Sequence, residues 1–463
     1  MRDELERLLR DHGQEHLLAF WDQLSPEGQQ ELAAEIRQLD LPLIARLYAE
    51  RDTGENVEAL IARASPPAAF RLDRSRNPFS PEEARLSAVE ALRAGRLGVI
   101  LVAGGQGTRL GFERPKGTYP IGPLSHKTLF QIHIEKIVAA SRRYGVRIPL
   151  YLMTSPATDE PTRRFLDEHD RFGLAEDDLW IFRQGTMPAV DAATGKILLA
   201  DPGQLALSPD GHGGTLAALA SSGALADARR RGIEQLFYFQ VDNPLVDICG
   251  PELVGYHLLA RSELSSQVAS KCDPLEMLGN VVSVDDRLHV IEYSDLPEPA
   301  ARRRDADGSL AIWAGSIAVH VMDAAFLGRM AESPGSLPFH HATKTVAYVD
   351  AEGRRVEPTE PNAIKFERFI FDLLPSAARA IVVEADRAEA FAPLKNASGD
   401  ETDTPETVRA AMIALHTAWL RRAGVEVAEG VSVEISPLYA LDADELAEKI
   451  APKTRVTENT YFC

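Results

Sequence analysis

The sequence predicts an α/β chain built around a parallel sheet, and three observations predict it. RLGVILVAG (96–104), VRIPLYLMTS (146–155) and QLFYFQVDN (235–243) are short apolar runs of strand type. KTLFQIHIEKIVAASRRYG (127–145), between the first two, carries apolar residues at helical spacing and ends on Gly145, a C-cap residue type. Strand, helix, strand in that order implies parallel pairing, which binds ligands at the carboxyl ends of the strands.

Residues 1–64 repeat leucine at helical spacing, and LSPEGQQEL offers Ser25 as an N-cap with Pro26 in the first turn. Residues 65–95, rich in proline, arginine and alanine, read as a wrapping linker that ends in a short helix. The main domain then begins near Arg96. From residue 405, TPETVRAAMIALHTAWLRRAG reads as an amphipathic helix, followed by the alternating VEVAEGVSVEISPLYAL. The expected divisions are therefore 1–95, 96–400 and 401–463. No internal repeat or low-complexity tract interrupts them.

The 463 residues carry 69 acidic and 50 basic side chains, a net charge of −19. That balance argues against non-specific binding to nucleic acid or anionic membranes, so an anionic ligand needs a local basic pocket. The charged N-terminal stretch MRDELERLLRDHGQEHL lacks a leader's apolar core, and no segment approaches eighteen uninterrupted apolar residues. A soluble cytoplasmic protein is expected. Cys249, Cys272 and Cys463 are too scattered for a disulfide framework or a zinc knuckle.

LVAGGQGTRLGFERPKGTYPIG (101–122) follows the first strand and sets glycines beside Arg109, Arg114 and Lys116. Glycines after a strand often only make a turn, but with cations they suit a polyphosphate, since bare amides and charges converge on it. Spacing excludes a Walker loop, because Lys116 precedes Gly117. It also excludes a dinucleotide fingerprint, because Leu110 occupies the third small position. Asp242 and Asn243 end a strand on the same rim; opposite a phosphate loop, a carboxylate there suits Mg²⁺. LSPDGHGGTLAAL supplies a second glycine turn, Gly211 to Gly214, holding His212 and opening an alanine-rich helix. NAIKFERFIFDLL reads as a helix with Phe366, Phe369, Ile370, Leu373 and Leu374 on its apolar face and Lys365 on its polar side. Lys395, in the turn-rich FAPLKNASGDETDTP, reads by itself as a solvated lysine.

Taken in order, these stretches with FRQGTMPA, VIEYSDL and VEISPL resemble the eukaryotic-type UDP-N-acetylhexosamine pyrophosphorylases. Those belong to the broader family of UTP:sugar-1-phosphate uridylyltransferases, which includes UDP-glucose pyrophosphorylases. The resemblance runs from about residue 20 to residue 440. It implies an N-terminal helical segment, a central doubly wound, mostly parallel, Rossmann-like nucleotidyltransferase domain and a small C-terminal domain. It implies that a sugar 1-phosphate, N-acetylglucosamine 1-phosphate foremost, attacks the α-phosphorus of UTP with Mg²⁺ to give UDP-sugar and pyrophosphate.

Carried over by position, Val102, Ala103, Gly104 and Gly105 would line the uridine, Gln184 would read the uracil edge and Gly211 would pack on the base. Arg109, Lys116, Lys365 and Lys395 would meet the phosphates, and Asp242 the metal. Gly279, Glu292, His212 and Ser316 would face the sugar. Two of these depart from the hexosamine pattern: His212 and Ser316 both stand where those enzymes carry Asn. A Gly-His-Gly turn is the habit of the glucose enzymes, which leaves glucose 1-phosphate or a broad range of sugars as the alternative. A non-catalytic UDP-sugar-binding regulator would be expected to lack Arg109, Lys116 or Asp242, and all three are present.

Overall fold

Leu97–Val102 lies parallel to Leu150–Thr154 on one side and to Gln235–Gln240 on the other in the computed structural model, which describes residues 1–51, 57–333, 335–451 and 453–463. Val99, Ile100, Leu101, Leu152, Phe237 and Phe239 are buried, as in strands covered on both faces. Leu179–Arg183 extends one edge in parallel. On the other side Ala314–Asp323 runs antiparallel to both Gln235–Gln240 and Leu264–Ser270; Ala380–Glu384 and then Ala69–Phe70 continue the sheet in parallel. The result is the expected α/β architecture with a mostly parallel sheet. A hairpin, Asn280–Val284 with Arg287–Ile291, hangs from Ala314–Asp323 at Gly315.

The crossover helix forms as Leu129–Tyr144. Thr128 caps it, its side chain accepting from Gln131 N at 3.2 Å, and Gly145 ends it at φ +70°, a left-handed value that glycine takes without strain. The short helix expected before the first strand is Pro81–Arg93, closed by a reciprocal Ser80–Glu83 capping box.

The chain divides into two compact units, neither of them continuous in sequence. The first comprises Met1–Ala62, Gln184–Ala217 and Leu337–Asp372. Helices Arg2–Arg10, Pro26–Arg37 and Leu41–Glu50 bury Leu5, Leu9, Leu32, Ile36 and Ile44 in one cluster with Val190, Ile197, Ile364 and Phe366. Ser25 caps the second of these helices through Gly28 N at 3.1 Å, as its sequence predicts. Buried Gln14 donates to Gly195 O and accepts from Ile197 N, tying the helical segment to the strands.

NAIKFERFIFDLL corrects the helical expectation. Ala363–Glu367 is a strand, paired antiparallel with both His340–Lys344 and Val190–Asp191, and a 3₁₀ turn follows over Ile370–Ser376. Ile364 and Phe366 alternate into the core at period two, while the later apolar residues belong to the turn; read together they imitate a helical face.

The second unit comprises Arg63–Arg183, Ala218–Ser336 and Leu373–Cys463. It holds the large sheet together with the C-terminal helix Pro405–Arg422 and the parallel pair Val433–Ile435 with Thr460–Phe462. Buried Glu434 accepts from Leu124 N, Ser125 N and Ser125 Oγ, joining that pair to the segment that follows the glycine loop. No helix among the described residues is long and apolar enough to cross a membrane.

Candidate active site

The glycine loop leaves the sheet beside the carboxyl end of the neighbouring strand. Val241 N donates to Val102 O at 3.0 Å and Ala103 N to Met153 O at 2.8 Å, so three parallel strands finish level. Gly104 and Gly105 then turn outward, and a Cβ built on Gly105 would meet nothing within 4 Å. Gln106–Gly107 pairs with Phe112–Pro115, with exposed Arg109 on the 3₁₀ turn between them. The chain returns at Lys116, whose N–H donates to Gly105 O at 3.1 Å. Gly117 is required here because any Cβ would run into the ring of Phe130.

Lys116 points back to the end of the sheet. Its Nζ donates to Leu394 O at 3.2 Å, and Leu394 N donates to Asp242 O at 2.8 Å. Burial pushes the Lys116 ammonium below the ordinary lysine range; Asp242 raises it again, and Arg109 and Lys395 lower it further. Three cations and one carboxylate from three separate segments therefore share one field. Burial also raises the Asp403 carboxyl, with Lys395 opposing that rise and Asp242 adding to it.

Gly279, Glu292 and Ser316 meet at the mouth of the hairpin. Asn280 is in register with Ile291, which sets Gly279 opposite Glu292. Ser316 N donates to Gly279 O at 2.8 Å, and a Cβ on Gly279 would lie 3.3 Å from Glu292 Oε1. Ser316 precedes a bulge: Val268 pairs with Ser316 and Gln267 with Val319, so Ile317 and Ala318 are extra, and Ala318 takes φ +56°. The bulge turns Ser316 and Ala318 into a narrow cleft also lined by Gln240, Asp242, Phe391 and Lys395. Ser316, one of the four residues implied for the sugar, thus lines one cleft with Asp242 and Lys395, and Gly279 adjoins it through its carbonyl.

Gln184, Gly211, His212 and Lys365 belong to the first unit. Gly211 has φ +82° and packs on the main chain of Arg368, where a Cβ would collide. Arg368 N donates to Asp210 O and Gly213 N to Arg368 O, at 2.8 and 2.7 Å, and the Arg368 guanidinium pairs with the Asp210 carboxylate. The half-buried His212 ring stacks on Phe369 at 5.2 Å, and its Nδ1 accepts from Ile370 N at 3.2 Å. Burial lowers that imidazole to about 4, and neighbouring His340 adds to the effect. Gln184 is buried, and Lys365 lies on the strand face opposite Ile364 and Phe366.

The family model described as UTP–glucose-1-phosphate uridylyltransferase matches residues 59–449. The chain belongs to that family. Among its relatives, the UDP-N-acetylglucosamine pyrophosphorylase of Saccharomyces cerevisiae is 35% identical over 466 residues, covering 96% of each chain. The UDP-N-acetylhexosamine pyrophosphorylase-like protein 1 of Xenopus tropicalis is 37% identical over 459 residues, 95% of this chain and 88% of that protein. The crystal structure of the Trypanosoma brucei UDP-N-acetylglucosamine pyrophosphorylase in complex with inhibitor superposes with a TM-score of 0.84 at 25% identity, over 98% of both chains. The Leishmania major UDP-glucose pyrophosphorylase in complex with UDP-glucose shares the fold, with a TM-score of 0.60 at 18% identity over 80% of this chain and 77% of that one.

In this uridylyltransferase-family chain, sequence reasoning passed over the side chains that brace the site. Asn280 donates to Leu278 O and Ile291 O, both at 3.1 Å, and accepts from buried Lys271 Nζ at 2.7 Å. His133 Nε2 bonds Val241 O at 3.0 Å, and Lys136 Nζ donates to Pro244 O and Val246 O at 2.7 and 2.8 Å. These two lie three apart on the crossover helix and together hold the loop that carries Asp242. The signal was present for Asn280, which directly follows Gly279, and for the polar His133 and Lys136 within an apolar helical run.

Proposed function

We propose that this chain transfers a uridylyl group from UTP to N-acetylglucosamine 1-phosphate, releasing pyrophosphate and forming the UDP-sugar. The observation that carries the reading is the cluster of Lys116, Arg109, Lys395 and Asp242 at the carboxyl end of the parallel sheet, beside the open glycine loop. The sugar phosphate is already an ionised nucleophile, so no general base is required. Its oxygen bonds to the α-phosphorus of UTP while the bond from that phosphorus to the bridging oxygen breaks and pyrophosphate leaves. Repulsion between the two anions is the main obstacle, and positioning with charge neutralisation answers it. Arg109 and Lys116 receive the leaving pyrophosphate, with Lys365 and Lys395 on the remaining phosphate charge. Main chain from Val102 to Gly105, with Gln184 and Gly211, holds the uridine. Gly279 and Glu292 hold the sugar hydroxyls, and Ser316 and His212 are assigned to the sugar as well.

The donor set suits Mg²⁺. Asp242 and the nearby Asp403 match an ion that takes one or two protein carboxylates and completes its shell from phosphate and water. No group of three or more His, Cys, Asp or Glu side chains poised for a metal occurs among the described residues, and this reading takes Asp242 as the principal protein ligand. Bound there, the ion supplies positive charge to the triphosphate.

The N-acetylglucosamine reading is supported by relatives of that name at 34–35% identity, against 16–19% for the UDP-glucose enzymes among the structural neighbours. A second reading, glucose 1-phosphate or a broad range of sugars, is favoured by His212 and Ser316. The test is pyrophosphate release from each of the four nucleoside triphosphates against a panel of sugar 1-phosphates with Mg²⁺. Preference for UTP and N-acetylglucosamine 1-phosphate is the expected result; a higher kcat/KM with glucose 1-phosphate overturns the sugar assignment.

A further inference from the structure

Asn243 is the one polar side chain of the VDN run for which the chemistry above has no use, and it is nearly inaccessible, 3% exposed. Its hydrogen bonds all go to main chain. Nδ2 donates to Ala390 O at 2.8 Å, and Oδ1 accepts from Ala392 N at 3.1 Å and from Leu245 N at 3.2 Å. The first two reach a segment almost 150 positions away and grip it at both ends of Phe391. Leu394, two residues further on, donates to Asp242 O and accepts from Lys116 Nζ. Lys395 comes next, its Nζ 5.8 Å from the centre of the Phe391 ring and its N–H bonded to Asp403 O at 2.8 Å.

An aspartate here would keep the shape of Asn243 but not the donor that Ala390 O requires, and an alanine would take away the partner of the Ala390 carbonyl and of the Ala392 and Leu245 N–H groups. A residue needing one donor and one acceptor at fixed separation, on the position directly after Asp242, is a clamp between two segments that must act together.

We propose that Asn243 is a positioning residue that holds Lys395 beside Asp242 and Lys116 by clamping main chain at Ala390 and Ala392. This rests on the assignment of Lys395 to the substrate phosphates. Asn243 touches no substrate in this scheme; its effect on turnover runs through Lys395 alone. Two loops almost 150 positions apart in sequence are thereby kept at a separation that a phosphate chain can bridge.

A double-mutant cycle on the full-length protein tests it, with kcat/KM from pyrophosphate release and thermal denaturation of each variant. Asn243→Asp and Asn243→Ala are each expected to lower kcat/KM by about tenfold or more, and Lys395→Ala by about a hundredfold, the scale of a lost charge-stabilising group. In the Lys395→Ala background, either Asn243 substitution is expected to change kcat/KM by less than about twofold, the non-additivity of groups acting as a unit. Multiplying effects in the double variants overturn the proposal. Loss of the folded state in both single Asn243 variants overturns it too, since Asn243 would then support the whole unit. Near wild-type rates for Lys395→Ala alone remove the assignment of Lys395 itself, a distinct outcome.

Discussion

Lys116 and Leu394 are joined by a single hydrogen bond, 3.2 Å from Nζ to the carbonyl oxygen, across 278 positions of sequence. Through it the lysine of the glycine loop is anchored next to Lys395 and Asp242. A desolvated ammonium with one neutral acceptor, only partly balanced by Asp242 and close to two other cations, is costly to hold and attractive to a phosphate.

Lys116→Ala and Arg109→Ala are accordingly expected to lower kcat by about a hundredfold or more, on the scale of removing a charge-stabilising donor. Thermal denaturation should show Arg109→Ala folded as before, because that side chain is exposed. Steady-state rates within threefold of the parent enzyme would remove the cationic loop from the chemistry.

Gly117→Ala tests the loop's packing. Its methyl would overlap the ring of Phe130, fully buried in the core, and overpacking of this kind costs about 1–3 kcal/mol. A lowered denaturation midpoint is expected, with partial recovery in the Gly117→Ala, Phe130→Leu double variant. An unchanged midpoint in the single variant would show that the ring moves aside freely.

The hairpin brace should be legible in sugar kinetics. Lys271→Met removes the ammonium that fixes Asn280 and, through it, Leu278 and Ile291 on either side of the Gly279–Glu292 pair. KM for the sugar phosphate is expected to rise by about tenfold, as for loss of a charged hydrogen bond of roughly 1.4 kcal/mol, with KM for UTP little changed. Equal changes in both constants would place the defect elsewhere.

Ser316→Asn introduces, in the cleft beside Gly279, the residue that the resemblance to the hexosamine enzymes implies for this position. The ratio of kcat/KM for N-acetylglucosamine 1-phosphate over glucose 1-phosphate should increase, by about tenfold if one hydrogen bond is gained. A ratio unmoved or reversed would detach Ser316 from sugar choice.

Acid should destabilise the second unit through its interior imidazoles. Burial holds His133, His257 and His416 at about 3, so they stay neutral in the folded protein, whereas unfolded rings take up protons near pH 6.5. Between those values the unfolded chain binds more protons, and stability falls as the pH falls, by about 1.4 kcal/mol per ring for each pH unit. Urea midpoints at pH 7.5 and 5.5 measure the slope. His257→Gln, which can keep a bond to Ser265 or Gln235, should flatten it; a slope identical to the parent's would exclude that ring as a contributor.

The glycine loop, the strand before it, the crossover helix with its Gly145 stop and the Ser25 cap were all readable from sequence, because each depends on neighbours within a few residues. Period, capping chemistry and glycine placement are local properties, and they also sufficed to set the VDN run and the glycine loop on one rim. The strand at 363–367 was not readable. Its alternation lasts only five residues before a turn that is also apolar, and the partners that make it a strand, His340–Lys344 and Val190–Asp191, are supplied by other parts of the chain.

Lys395 marks the boundary most clearly. By itself it is a lysine in a polar turn, and only family resemblance singled it out; what seats it beside Lys116 and Asp242 is the Asn243 side chain and the Leu394 main chain. The sequence by itself determined which local elements form and which of them could carry an anion. Tertiary structure alone decided which distant charges share one field, because that depends on hydrogen bonds closed over hundreds of residues, and no local pattern encodes their partners.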